Sequence, residues 1–260
     1  MKVAAFQMNI AWENPTANLA KVREVIMATD ADLVVLPEMF ATGFSMSPEL
    51  IAQPIDGEIV TTLQSIALQS GKAIITSVAI ELDGLSGSNP RAGFVNRLFF
   101  FTPDGVYLTY DKRHTFRMGG EHEKYLSGEK RLIVHYKGLR IRPLICYDLR
   151  FPVWARNRGD YDVLVYVACW PDVRSYAWDT LLRARAIENQ CYCIGVNRCG
   201  DEPKNSYSGD SVILDFLGKP LAQAEPYKEE VITTELSAGE LNSFRAKFPA
   251  YLDADNFEII

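Results

Sequence analysis

Pro143-Leu144-Ile145-Cys146-Tyr147-Asp148-Leu149-Arg150-Phe151-Pro152 is the stretch on which the fold and the chemistry turn. Its first three residues read as the end of a buried strand, and the polar residues that follow, closed by Pro152, end it. A thiol at the end of such a strand is presented, not buried. Residues 131–136 and 139–145 flank Lys137-Gly138 as an antiparallel pair, and 161–169 reads as a further buried strand. Cys146 therefore follows the second strand of a hairpin.

Upstream, residues 3–8 read as a strand, and Asn14-Pro15 opens a helix with Leu19, Val22, Val25 and Ile26 on one face. Residues 33–36 are apolar throughout, as in a central strand covered on both sides. A second helix turns Ile59, Leu63, Ile66 and Ala67 inward, stops at Gly71 and leads into a strand at 73–80. The Gly, Ser, Asn and Pro content of 83–93 predicts a surface loop, followed by a strand at 94–101 and the turn Pro103-Asp104-Gly105. Downstream, a long helix fits 175–190 with Ser175 as its N-cap. Strands fit 192–197, 211–216 and 229–234, and a last helix lies near 238–245. Strands alternating with amphipathic helices predict a layered α/β domain spanning residues 1–260.

Composition excludes several classes of function. A net charge of −6 offers no basic surface for nucleic acid. No run is long enough to span a membrane, and the apolar amino-terminal run is too short for a signal peptide. Five unevenly spaced cysteines argue against a disulfide framework and for reduced thiols in the cytoplasm. The spacing of His114, His122 and His135 matches no zinc pattern, and no Gly-x-Ser-x-Gly elbow is present.

Two more strand-like runs end in charge: 33–36 stops at Pro37-Glu38, and 106–110 runs into Asp111-Lys112. Taken singly, a strand-end Glu or Lys is more often a solvated charge and a lone Cys a small buried hydrophobe. Taken together, they supply a nucleophile, a proton carrier and a fixed positive charge for an acyl oxyanion. A non-catalytic redox sensor would need Cys146 but neither Glu38 nor Lys112.

The contexts of these residues decide between the two. Leu36-Pro37-Glu38-Met39-Phe40, Tyr110-Asp111-Lys112-Arg113-His114 and Cys146-Tyr147-Asp148-Leu149-Arg150-Phe151-Pro152, in that order, resemble the nitrilase superfamily of carbon–nitrogen hydrolases. Ala5-Phe6-Gln7 and Arg183-Ala184-Arg185-Ala186-Ile187-Glu188-Asn189 extend the resemblance over nearly the whole chain. It implies a four-layer αββα sandwich, usually paired as a homodimer, that works without metal or cofactor. It also implies a second carboxylate beside the Lys, which falls on Glu121, with Glu123 two residues on.

Arg113-His114-Thr115-Phe116-Arg117-Met118, Cys169-Trp170-Pro171-Asp172-Val173-Arg174 and the tail at 248–255 resemble the omega-amidase branch. That branch hydrolyses the terminal amide of 2-oxo acids such as 2-oxoglutaramate and 2-oxosuccinamate. Its pattern more often has Leu at the position of Thr115 and Asn at that of Cys169. N-carbamoyl compounds, nitriles and aliphatic amides are the alternative substrates within the superfamily. An oxo-acid substrate needs a cation at the far end of its pocket. Arg174 is the first candidate and Arg117 the second, with Trp170, Tyr147 and Phe116 beside them, while Arg150 reads as a structural partner of Asp148.

Overall fold

A computed structural model describes residues 1–82 and 93–259, so the loop expected at 83–93 lies, apart from Gly93, outside the described residues. In chain order the strands are β1 (Lys2–Gln7), β2 (Leu33–Val35), β3 (Ala73–Glu81), β4 (Phe94–Phe101), β5 (Tyr107–Asp111), β6 (Val134–Tyr136) and β7 (Leu139–Ile145). They continue as β8 (Val163–Ala168), β9 (Tyr192–Asn197), β10 (Cys199–Asp201), β11 (Ser206–Ser208), β12 (Val212–Leu214), β13 (Pro220–Gln223) and β14 (Glu230–Glu235). The α-helices are α1 (Pro15–Ala28), α2 (Pro48–Ile51), α3 (Glu58–Ser70), α4 (Glu121–Lys124), α5 (Pro152–Ala155), α6 (Ser175–Asn189) and α7 (Ala238–Lys247).

Two six-stranded sheets carry the fold, in the orders β14-β1-β2-β3-β4-β5 and β13-β12-β9-β8-β7-β6. Each has three parallel strands inside and antiparallel strands at its flanks. The two-residue period of a strand explains the layering. Val3, Ala5, Val35, Ile75, Leu98 and Phe100 point into one core with Ile141, Val163 and Val165 of the second sheet. Their neighbours Ala4, Phe6, Val34, Ile74, Phe99 and Phe101 point the other way, against Leu19, Val22 and Ile26 of α1 and Leu63 and Ile66 of α3. On the far side, Trp178, Leu182 and Ala186 of α6 close over the second sheet. The result is the four-layer αββα sandwich that the motifs imply.

Differences from the expected elements have local causes. Ser175 does not cap α6 but is its first residue, because the 3-10 turn Asp172–Arg174 runs directly into the helix. Asn14 does cap α1, its Oδ1 accepting from Ala17 N–H at 3.1 Å. The short strands β10, β11 and β13 lack the apolar alternation that marks a strand in sequence. β10 and β11 form a separate ribbon. No helix among the described residues is long and apolar enough to cross a membrane.

Gly195 in β9 sets how closely α6 approaches the sheet. A Cβ there would meet Leu182 Cδ1 at 2.4 Å and Trp178 Cζ2 at 2.9 Å. Gly195→Ala is expected to cost about 1–3 kcal/mol by overpacking, read as a lower midpoint in urea with an unchanged m-value. An unchanged midpoint would show that α6 shifts freely.

Candidate active site

The parallel strands direct their carboxyl ends to one end of the sandwich, and the loops that leave them carry the polar groups. Glu38 follows β2, Lys112 follows β5, Cys146 follows β7 and Cys169 follows β8. Two of these turns are strained: Cys146 has φ +43° and Met39, next to Glu38, has φ +44°. A non-glycine residue in this region costs about 1–3 kcal/mol and persists only where its surroundings enforce it. At Met39 the backbone N–H is held by Ser77 Oγ at 3.0 Å. At Cys146 the strain turns the thiol off the strand axis at the head of the 3-10 turn Cys146–Arg150.

Glu38, Lys112 and Glu121 have no solvent exposure, and Cys146 is 9% exposed. Lys112 Nζ donates to Glu38 Oε1 and to Glu121 Oε1, each at 2.9 Å, and lies 4.8 Å from the centre of the Phe44 ring. Glu121 Oε2 accepts from the backbone N–H of Phe116, while Glu38 Oε2 accepts from that of Cys169 at 2.9 Å. Cys146 Sγ lies 3.8 Å from the Cys169 carbonyl oxygen. The structure thus brings together Glu38, Lys112, Cys146 and Glu121. Glu123 projects outward, 68% exposed at its side chain.

The electrostatics follow from this burial. Burial alone would lower the proton affinity of Lys112, but the charges of Glu121 and Glu38 outweigh it and hold the ammonium well above its ordinary range. Burial pushes the Glu121 carboxyl up, against the pull of Lys112. Burial also pushes the Cys146 thiol well up, and the charge of Glu38 adds to this while Lys112 opposes it. Cys146 therefore rests as a thiol.

Arg150 does not partner Asp148, contrary to the sequence expectation. The buried Asp148 carboxylate accepts from Tyr110 Oη at 2.7 Å, Ile145 N–H at 3.1 Å, His114 N–H at 3.0 Å and His114 Nδ1 at 2.8 Å. One carboxylate thereby ties the segment after Lys112 to the turn that bears Cys146. Arg150 instead lies over the Trp170 ring, 4.9 Å from its centre, and lines the cavity above Cys146.

That cavity has a volume of about 530 Å³. Arg174, Trp170, Tyr147 and Phe116 line it, and the Arg174 guanidinium sits 5.5 Å from the centre of the Phe116 ring. Arg117 does not: it is exposed on the 3-10 turn Arg117–Gly119 and is absent from the cavity wall. Its backbone, and not its side chain, belongs to the loop that carries Phe116. Among the described residues no group of three or more His, Cys, Asp and Glu side chains is placed to hold a metal ion.

The carbon–nitrogen hydrolase family matches residues 2–246. The chain belongs to this family. Its hydrolases act on carbon–nitrogen bonds. The chain is 44% identical to the omega-amidase YafV of Yersinia enterocolitica, covering 100% of this chain and 99% of that protein. It is 30% identical to the 2-oxoglutaramate amidase of Bacillus subtilis strain 168, covering 96% of each. The crystal structure of XC1258 from Xanthomonas campestris, a CN-hydrolase superfamily protein with an arsenic adduct in its active site, superposes with a TM-score of 0.93. Its sequence identity is 43%, over 100% of this chain and 99% of that one.

Within this hydrolase three features of the site escape the motif reading. Arg150 belongs to the cavity, Asn96 of β4 donates to Glu38 Oε1 at 2.7 Å, and the turn between β10 and β11 brings Glu202 and Lys204 to the cavity rim. Spacing does not find the first, since residue 150 stands four positions from Cys146, past one turn of a 3-10 helix. The ribbon carries no signal either. Asp148→Asn replaces one accepting oxygen by a donor that faces donors. It should cost about 2 kcal/mol or more in stability and slow alkylation of Cys146 by iodoacetamide. Wild-type values for both, by thermal denaturation and by mass spectrometry of the labelled peptide, would remove the tie between the two segments.

Proposed function

We propose that the chain is an omega-amidase that hydrolyses the terminal amide of 2-oxo acids, 2-oxoglutaramate and 2-oxosuccinamate, to the dicarboxylate and ammonia through a thioester on Cys146. The observation that carries the proposal is one cavity with Cys146 and Lys112 on its floor, Glu38 bonded to Lys112 behind them, and two unpaired guanidiniums, Arg150 and Arg174, on its wall. Among the described residues neither guanidinium is ion-paired to a carboxylate, whereas Arg97, Arg131, Arg140, Arg183, Arg185, Arg198 and Arg245 all are. Each rests on an aromatic face, Trp170 or Phe116, so it is held in place without being neutralised. Such a pair suits a substrate that brings its own carboxylate and an adjacent oxo group. Tyr147 packs edge-on against Phe116, with ring centres 5.0 Å apart, and completes that wall.

Chemistry then follows from the floor. Cys146 Sγ attacks the amide carbon while Glu38 takes the thiol proton. The carbonyl oxygen gains negative charge against Lys112 Nζ and the backbone N–H of Tyr147. Lys112 can do this because an ammonium has three donors and its two carboxylates occupy two. Glu38 gives the proton to the leaving nitrogen, the C–N bond breaks and ammonia departs. Water, losing its proton to Glu38, attacks the thioester; the C–S bond breaks and the proton returns to sulfur. Glu121 holds Lys112 in line throughout.

The exposed apolar residues Val173 and Tyr176, 80% and 84% exposed at the head of α6, support a homodimer across this face. Five free cysteines fit a reducing cytoplasm.

Ammonia release across 2-oxoglutaramate, 2-oxosuccinamate, N-carbamoyl amino acids and aliphatic amides tests the substrate class. Oxo-acid amides should lead in kcat/KM, and equal turnover of a neutral amide would contradict the proposal. Arg150→Leu and Arg174→Leu should each raise KM for an oxo-acid amide by about tenfold or more, the worth of a charge-assisted hydrogen bond. KM for a neutral amide should barely change, and equal effects on both substrates would remove the two arginines from recognition.

A further inference from the structure

Asn96 is a wholly buried amide for which packing offers no reason. It pairs with Ala79 across β3 and β4 and shares the inward row of β4 with Leu98 and Phe100, both members of the core between the sheets. A leucine would fill that row without the cost of burying a polar group. The amide instead reaches the site twice. Its Nδ2 donates to Glu38 Oε1 at 2.7 Å, and its backbone carbonyl accepts from the Lys112 N–H at 3.0 Å. The orientation of the amide follows from its partner, since a carboxylate only accepts. Asn96 Oδ1 has no partner among the described residues, so the residue tolerates an unmet acceptor in order to face Glu38 with its donor.

The two oxygens of Glu38 are thereby made unequal. Among the described residues Oε1 takes two donors, Asn96 Nδ2 and Lys112 Nζ, whereas Oε2 takes the Cys169 N–H. The Cys169 backbone also fixes which side Oε2 faces: its N–H binds Oε2 and its carbonyl oxygen touches Cys146 Sγ. We propose that Asn96 is a positioning residue for proton transfer. It locks the carboxylate through Oε1 and leaves Oε2 as the oxygen that receives and returns the thiol proton. The proposal rests on Glu38 being the acid/base of the amidase reaction.

Groups that face Glu38 come from each element around it: Lys112 after β5, Glu121 in α4, Cys146 after β7, Cys169 after β8 and Asn96 in β4. Tyr125 stands beyond them, near Glu121. Lys112 is held charged by its two carboxylates, and burial keeps both thiols protonated. The low-pH limb of kcat/KM is where a change at the carboxylates of the site is read. Among the described residues the Asn96 amide donates to Glu38 and not to Glu121. A donor to the ionised form lowers a carboxyl pKa, so its removal must move that limb upward.

The test is the pH profile of kcat/KM for an oxo-acid amide in Asn96→Leu, read beside the pH dependence of Cys146 alkylation by iodoacetamide, which needs no turnover. In both, the acid limb should move up by about one unit, a tenfold change in proton affinity, with the thermal midpoint equal to or above that of the wild type. Asn96→Ala, which leaves room for a water to donate in place of the amide, should show a smaller shift of the same sign and carries the test if the Leu variant fails to fold. Limbs that stay in place while stability falls would reduce Asn96 to a packing residue and overturn the proposal. A wild-type profile with no acid limb, or ammonia release by Cys146→Ala, would instead sink the acid/base reading on which the proposal stands.

Discussion

Lys112 is an ammonium with no exposure to solvent, and the rest of the site is arranged around keeping it there. Removing such an ion from water is repaid only by close charges and complete hydrogen bonding, and here Glu38 and Glu121 provide both. The condition is demanding because the three groups come from three places in the chain: the end of β2, the end of β5 and α4. It can be met only if the strand ends lie at one end of the sandwich in the correct register. Burial, with the charge of Glu38 added to it, holds the Cys146 side chain as a thiol against the pull of Lys112.

Strain and rigidity serve this arrangement. Left-handed backbone occurs at Met39, next to Glu38, and at Cys146 itself. Asp148 offsets the strain at Cys146 by gathering four donors, two of them from His114, directly beyond Lys112. Above, Trp170 and Phe116 lie face-on against Arg150 and Arg174, and both guanidiniums line the cavity.

Much of this was legible in the sequence, for physical reasons that differ between parts. The inner strands and the helices α1, α3 and α6 show in apolar period, because one face of each is buried. Glu38, Lys112 and Cys146 stand where apolar runs end, and the structure brings them together at one end of the sandwich. The edge strand β13 and the ribbon of β10 and β11 could not be read, since little apolar surface marks them. Arg150 and Arg117 were misplaced for a related reason. Sequence spacing does not say which face of a single 3-10 turn meets the cavity, and the structure turns Arg150 in and Arg117 out. Asn96 was hidden inside a run of strand residues, where a single polar side chain gives no pattern.

The central claim is that Cys146 carries the acyl group of an oxo-acid amide. The direct measurement is mass spectrometry of the protein quenched with acid during turnover of 2-oxoglutaramate. The account predicts a 2-oxo acyl adduct on the peptide that contains Cys146, lost in Cys146→Ala. Full turnover with no adduct at any quench time, together with activity retained in Cys146→Ala, would contradict it.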